Sequence, residues 1–393
     1  MLAKMPEEKQ KKLMVKIISS GKIFSTPVWK MLFQTLSFYG GDEKKLKETL
    51  VQKHDGLESV LNKMINLGEE TKSRADQMSN DINIDSEIIR DMYLEASMYY
   101  FMAYFFVSDE LSLKEIYSEA NPVFEEFMKR MNPPVEKWEF KYKTGNFYAH
   151  VYYPKGEGAF PVILYYPGNE GIKEHAATYA KYAIARNLAL ISIEPPGFGE
   201  SGLSGSKLSN IEDYGISTDL IYKKIVSNQK LDKSRLATFG VSGGSLISII
   251  VAGFHDYITA TAGIGAPDYE KMWKVWKNAM AEQRRKTYTY TGLDNAEDVI
   301  NFLKKYGSDT EKVLGNVKCP VLLIHGEKDY ISKAKRGKDI TDRIGEKAIH
   351  RIIPGDDHLC SNSIGNGLAD EIFDWLASQL KTKNTVNKRV KKK

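Results

Sequence analysis

Apolar residues recur every three or four positions through roughly the first 135 residues, and from Trp138 onward every second one. The first rhythm predicts helices over 31–36, Leu46–Asn66 and Ile84–Phe106, because a period of 3.6 puts such residues on one face. Breaks are expected at Gly40-Gly41 and in the polar stretch Glu69–Asp81. Asn132-Pro133-Pro134 closes this region, since a proline pair cannot continue a helix. The second rhythm begins with Trp-Glu-Phe-Lys-Tyr-Lys, turns at Gly145, and returns as Phe-Tyr-Ala-His-Val-Tyr-Tyr, which predicts an antiparallel hairpin. Short apolar runs then alternate with helical segments: Pro161–Tyr166, Leu188–Ile193, Leu236–Phe239, Cys319–Gly326 and Ala348–Ile353 read as strands. Alternation of this kind implies parallel pairing through helical crossovers. The fold class expected is α/β, a doubly wound, mostly parallel sheet preceded by an all-helical cap. Its expected divisions are 1–137 for the cap, 138–380 for the α/β part and 381–393 for a basic tail.

Chemistry enters at Gly240-Val241-Ser242-Gly243-Gly244, which lies between the apolar strand Leu236–Phe239 and the apolar helix Ser245–Ala252. A serine on a strand-to-helix turn among glycines is a nucleophile elbow: the turn lifts the hydroxyl clear of the sheet, and glycines avoid collisions with its neighbours. Such a hydroxyl needs a base to take its proton and a carboxylate to orient that base, in the chain order Ser, Asp, His. His358 follows the last predicted strand, in Pro354-Gly355-Asp356-Asp357-His358, and fits the base. Asp329, in the loop Glu327-Lys328-Asp329, fits the acid; Glu327 shares its loop, and Asp268 follows the preceding strand. The oxyanion expects two backbone donors, Gly243 directly after the nucleophile and Asn169 in Pro167-Gly168-Asn169-Glu170-Gly171 after the third strand. Gly197-Phe198-Gly199-Glu200-Ser201 is a further strand-end turn, expected to shape the site without chemistry of its own.

Two aromatic stretches stand out. Tyr93, Tyr100 and Tyr104 share one side of a helix with Phe101, Phe105 and Phe106 around it, and Met272, Trp273, Trp276 and Met280 recur at helical spacing. Core packing explains both; the sharper reading is an apolar pocket between the helical cap and the sheet, with Tyr104, Trp273 and Trp276 touching substrate. No cluster of Arg or Lys adjoins the elbow in sequence, so a largely apolar or aromatic carbonyl compound is expected.

The formal charge of +5 would suggest acidic partners, but the segment 381–393 holds seven Lys or Arg and no acid, leaving −2 for the remainder. Nucleic-acid binding is therefore not expected, and the tail reads as solvated. Two cysteines, Cys319 and Cys360, make no disulfide framework; both are expected as reduced thiols. The first residues do not read as a signal peptide, and no apolar run approaches the roughly 18 residues of a membrane span. A reducing cytoplasm follows, with a small-molecule substrate, no membrane, no metal or other cofactor, and a homodimer left open.

The residues from about Trp138 to Leu380 resemble an α/β-hydrolase. Within that fold, Glu95–Phe106, Tyr117, Phe124 and Gly168-Asn169-Glu170-Gly171-Ile172-Lys173-Glu174 resemble one subgroup. It contains the fermentation-respiration switch esterases, the dihydroxypseudooxynicotine hydrolases and the fungal pigment polyketide-shortening hydrolases. Where those relatives often have a Gly-Gly pair after the third strand, this chain has Pro167-Gly168. The resemblance implies a helical domain ahead of the hydrolase domain, and C–C bond cleavage in β-dicarbonyl compounds for several members. The expected function is serine hydrolysis of an ester, thioester or β-dicarbonyl C–C bond, with Glu170, Asp268 or Glu270 available to protonate a carbon leaving group. Acyl transfer or lactone formation, and a binding or regulatory protein on an inactive hydrolase fold, are the alternatives.

Overall fold

The computed structural model describes residues 5–381 apart from Ser108, Thr144, Glu170 and Met280. Up to Arg130 the described chain is helical: α1 (Glu7–Ser19), α2 (Pro27–Phe38), α3 (Glu43–Leu50), α4 (Leu57–Met78), α5 (Ser86–Tyr104) and α6 (Glu110–Arg130). Side-chain caps fix three starts, with Asp42, Asp85 and Asp109 accepting from the amides of Lys45, Glu87 and Ser112. The single helix expected over Leu46–Asn66 is instead two, parted between Val51 and Gly56, and the break expected at 69–81 is displaced to the end of α4 at Met78. Polarity misled there: the stretch is rich in good helix formers, and Val60, Met64, Leu67, Thr71 and Ala75 carry the buried stripe straight through it.

Helix α5 is buried all round from Ala96 to Tyr104 and lies between α4 and α6. Its tyrosines tolerate burial because their hydroxyls have partners. Tyr93 donates to Asp76 at 2.6 Å, Tyr99 to Glu95 at 2.7 Å and Tyr100 to Glu69.

An eight-stranded sheet follows: β1 (Glu136–Tyr142), β2 (Gly145–Tyr152), β3 (Phe160–Tyr166), β4 (Ala189–Glu194), β5 (Leu231–Val241), β6 (Ile258–Ile264), β7 (Val321–Gly326) and β8 (Ala348–Ile353). The order across it is β1-β2-β4-β3-β5-β6-β7-β8. The hairpin β1–β2 is antiparallel and β2 runs antiparallel to β4; every pairing from β4 to β8 is parallel. Connecting helices are α7 (Ala176–Ile184), α8 (Gly199–Leu203), α9 (Glu212–Ser227), α10 (Gly243–Phe254), α11 (Met272–Lys277), α12 (Ala281–Thr291), α13 (Ala296–Leu314) and α14 (Ala334–Ile344). Helix α15 (Ala369–Gln379) ends the described fold.

The pleat divides the strands between two cores. Val162, Leu164 and Tyr166 of β3 pack with α9, α10 and α13, whereas Ile163 and Tyr165 face α7, α15 and the N-terminal helices. The second core is continuous from α1 to α15. Aromatic contacts cross the junction, with Tyr39 stacked on His175 at 4.3 Å and Phe38 edge-on to Tyr179 at 5.1 Å. Each large apolar side chain fully buried in this way stabilises by about 1.5–3 kcal/mol. Cys319 and Cys360 are free and buried, and burial pushes the Cys319 thiol up to about 11. The tail from 382 lies outside the described residues.

Candidate active site

Loops at the C-terminal ends of β3, β5, β6, β7 and β8 converge at one edge of the sheet, where open parallel sheets hold their ligands. Strand β5 gives way to α10 at Ser242, whose backbone has φ 53° and ψ −124°. A non-glycine residue there is strained by about 1–3 kcal/mol. The turn persists because the Ser242 amide donates to the Ile264 carbonyl at 2.7 Å and because Gly244 lets α10 close against β3. A Cβ on Gly244 would overlap the carbonyl of Tyr166.

The Ser242 hydroxyl lies 2.8 Å from His358 Nε2, and His358 Nδ1 lies 2.7 Å from Asp329 Oδ2. A carboxylate only accepts, so Nδ1 carries the proton and Nε2 is left to accept from the serine. Asp329 Oδ1 accepts the amides of Ile331 at 2.8 Å and Ser332 at 2.6 Å, which fixes the carboxylate plane. Asp329 and His358 are both buried. Of the other acids considered, Glu327 accepts the Gly355 amide at 2.8 Å and Asp268 pairs with Lys271 at 2.8 Å.

Sequence reasoning overlooked several residues that hold this arrangement. Asp356, buried beside the histidine, accepts amide hydrogens from Asp357, Asn362 and Ser363 at 2.9, 3.2 and 3.1 Å. Asp357 likewise accepts from Leu359 and Ser361. The Asp-Asp pair before His358 was the available signal, since aspartate readily organises turns by accepting from nearby amides. His325, on β7, sits 3.2 Å from the Ala266 carbonyl through Nε2 and 3.2 Å from His350 Nε2 through Nδ1. Ser332 donates to the same Ala266 carbonyl, which ties this pair to the acid loop. Burial pulls the His325 pKa down to about 4.

Gly243 opens α10, and first-turn amides of a helix lack partners within it. The Asn169 carboxamide lies against it: a Cβ on Gly243 would overlap Asn169 Oδ1, which accepts from the Tyr269 hydroxyl at 3.3 Å. Glu170, next in that loop, lies outside the described residues. Further along the loop, Lys173 is fully buried, 2.7 Å from Glu174, 2.7 Å from Glu200 and 3.5 Å from Glu194. Burial raises Glu194 to about 7 despite the lysine. Glu200 thus helps to anchor the Asn169 loop, a role not read from its glycine turn.

Ser242 opens on a cavity of about 1150 Å³ between the sheet edge and α1, α2 and α5. Met14, Trp29, Leu36, Met98, Met102 and Phe106 form its apolar wall, and Asn169, Tyr269 and His358 lie near the serine. Trp276 lines it, but Trp273 and Tyr104 do not, which corrects two expected substrate contacts. Met272, Val275 and Trp276 share the cavity face of α11, so Trp273 turns toward α13, with Lys304 Nζ 5.1 Å from its ring. Tyr104 stands one layer back, its hydroxyl bonded to that of Tyr290, which does line the cavity. Met280 lies outside the described residues, and Glu270 is exposed and not part of the wall. The expectation of no basic residues near the elbow also needs correction. Folding brings Lys11, Lys271, Lys286, Lys333, Lys335 and Arg336 to the wall from separate elements. Among the described residues no His, Cys, Asp and Glu cluster suits a metal ion, and no helix is long and apolar enough to cross a membrane.

A mostly parallel eight-stranded sheet with a strained serine elbow after its fifth strand defines the α/β-hydrolase fold. The chain belongs to the Esterase FrsA-like family, which matches residues 74–379. It is similar to Esterase FrsA of Salmonella paratyphi B, with 26% identity over 164 residues, 41% of this chain and 38% of that protein. Esterase FrsA of Salmonella newport matches to the same extent, so the chain spans well under half the length of these curated relatives. Among solved structures, 2,6-dihydroxy-pseudo-oxynicotine hydrolase superposes with a TM-score of 0.76 at 17% identity, covering 88% of this chain and 95% of that one. AbyA5 superposes with a TM-score of 0.64 at 18% identity over 86% and 94%. These likenesses establish the shared fold, helical region included.

Proposed function

We propose that the protein is a serine hydrolase that cleaves an acyl-type bond, an ester, thioester or β-dicarbonyl C–C bond, in a mid-sized and largely apolar or aromatic carbonyl compound. The observation that carries this reading is the unbroken hydrogen-bond chain Ser242–His358–Asp329 at the floor of a large, mainly apolar cavity. Ser242 Oγ attacks the substrate carbonyl as His358 Nε2 takes its proton, and Asp329 stabilises the imidazolium that forms. The Gly243 amide stabilises the tetrahedral oxyanion, with a second donor from the Asn169 loop. Collapse expels the leaving group, which receives the proton from His358; water then repeats the sequence on the acyl-enzyme. The helical region acts as a lid that supplies much of the cavity wall and keeps bulk water from the acyl-enzyme.

Turnover of matched aryl esters, thioesters and β-diketones by wild type and Ser242→Ala tests the proposal. Hydrolysis of at least one class by wild type, lost in the variant, is expected; equal turnover by both proteins would refute it.

A further inference from the structure

The charge on the cavity wall is lopsided for a chamber that is otherwise apolar. Six basic residues line it among the described residues, against two acids, Asp268 and Asp339. Three of these basic wall residues, Lys333, Lys335 and Arg336, follow Asp329 along the chain into α14. Lys333 and Lys335 are exposed and have no ion pair among the described residues. Tyr330 and Ile331, also on the wall, are 43% and 45% exposed, so this segment forms the cavity's open rim.

Arg336 is a different kind of residue. It is 5% exposed, lines the same cavity and hydrogen-bonds Glu311 through Nη2, while its Nε has no partner. A buried N–H left without an acceptor is unfavourable, a deficit that a ligand acceptor would remove. An apolar wall within, two free ammonium groups at the rim and a buried guanidinium donor beside them are complementary to one kind of molecule.

We propose that the substrate is an anionic amphiphile: an apolar acyl portion that fills the cavity toward α2 and α5, and a leaving portion bearing a carboxylate or similar anion that rests at Lys333, Lys335 and Arg336. This rests on the hydrolase reading for the position of the scissile carbonyl at Ser242. The rim lysines draw the anion in from solvent, an effect that salt screens, and Arg336 fixes it once the water is displaced.

Two ligand pairs test this. The first is 4-octanoyloxybenzoate against 4-tolyl octanoate, compared by kcat/KM. The second is their non-hydrolysable amides, N-octanoyl-4-aminobenzoate against N-octanoyl-4-methylaniline, compared by calorimetric Kd on the whole chain. The anionic amide is expected to bind at least tenfold tighter at low ionic strength, with the ratio shrinking as salt rises. The double variant Lys333→Glu/Lys335→Glu should abolish the ratio, whereas Lys155→Glu, in the β2–β3 loop, should retain it. Equal binding of the two amides, or a preference that survives the double variant, would overturn the inference. Anion-selective amide binding without ester turnover would leave the inference standing and count against the hydrolase reading instead.

Discussion

Asp329 uses both of its carboxylate oxygens, one for His358 and one for two amides of its own loop. An asparagine could keep only one of these roles at full strength, and it would disturb the imidazole's tautomer. Asp329→Asn is therefore expected to lower kcat by about 10⁴ while leaving the thermal transition near that of wild type. Asp268→Asn serves as the comparison, since Asp268 pairs with Lys271 and not with His358, and its loss should spare ester turnover. A silent Asp329→Asn beside a damaging Asp268→Asn, in steady-state ester kinetics, would assign the acid to β6 instead of β7. Stability at acid pH provides an independent check on His325. Its folded pKa of about 4 lies below the usual value near 6.5, so the unfolded chain binds the proton more readily. Its contribution is present above pH 6.5 and is lost as pH falls from there toward 4. Relative to His325→Gln, wild type should lose on the order of 3 kcal/mol across that window, measured by urea unfolding at each pH. A difference independent of pH would mean that His325 is not held neutral. Ser242 and His358 were legible in sequence because each sits in a short motif beside its strand. The sequence favoured Asp329 without excluding Glu327, since two acids in one loop are separated only by which carboxylate faces the histidine. The Asp356-Asp357 pair was a local signal passed over, whereas the packing of His325 against Ala266 and His350 depends on strand register, which no local motif encodes.

At the level of elements, α11 shows how a helical face sorts side chains that sequence spacing leaves together. Trp273 and Trp276 both read as pocket residues, yet only Trp276 reaches the cavity; its ring stands edge-on to Tyr288 at 5.8 Å. Trp276→Ala should lower kcat/KM for a bulky aryl ester by about 1–3 kcal/mol, and for an acetyl ester by much less. Trp273→Ala should affect the two esters alike. Equal losses for both esters in Trp276→Ala would make that residue part of the core alone. The strands were largely readable, because buried parallel strands are short apolar runs and the crossovers force their order. The N-terminal helices were read less well. A continuous buried stripe keeps α4 helical through Glu69–Met78, eight of whose ten residues are polar, and that stripe depends on contacts with α5 that local composition does not report.

For the whole molecule, the decisive feature is a single apolar core that runs from α1 through one face of the sheet to α15. A fragment 138–393 would expose Tyr165, Tyr179 and the neighbouring face, an apolar surface too large to remain solvated singly. Size-exclusion chromatography should show it aggregated; a monomeric fragment with unchanged kinetics would remove the lid from the account. Above all, catalysis through Ser242 and His358 requires that one serine of this chain be nucleophilic and that its reactivity depend on one histidine. Intact-mass and peptide mass spectrometry after treatment with a fluorophosphonate measures this without knowledge of the natural substrate. Wild type should gain a single adduct, carried on Ser242, while His358→Ala labels far more slowly and Ser242→Ala does not label. An adduct on another serine, or equal labelling of wild type and Ser242→Ala, would contradict the assignment of Ser242 as the nucleophile.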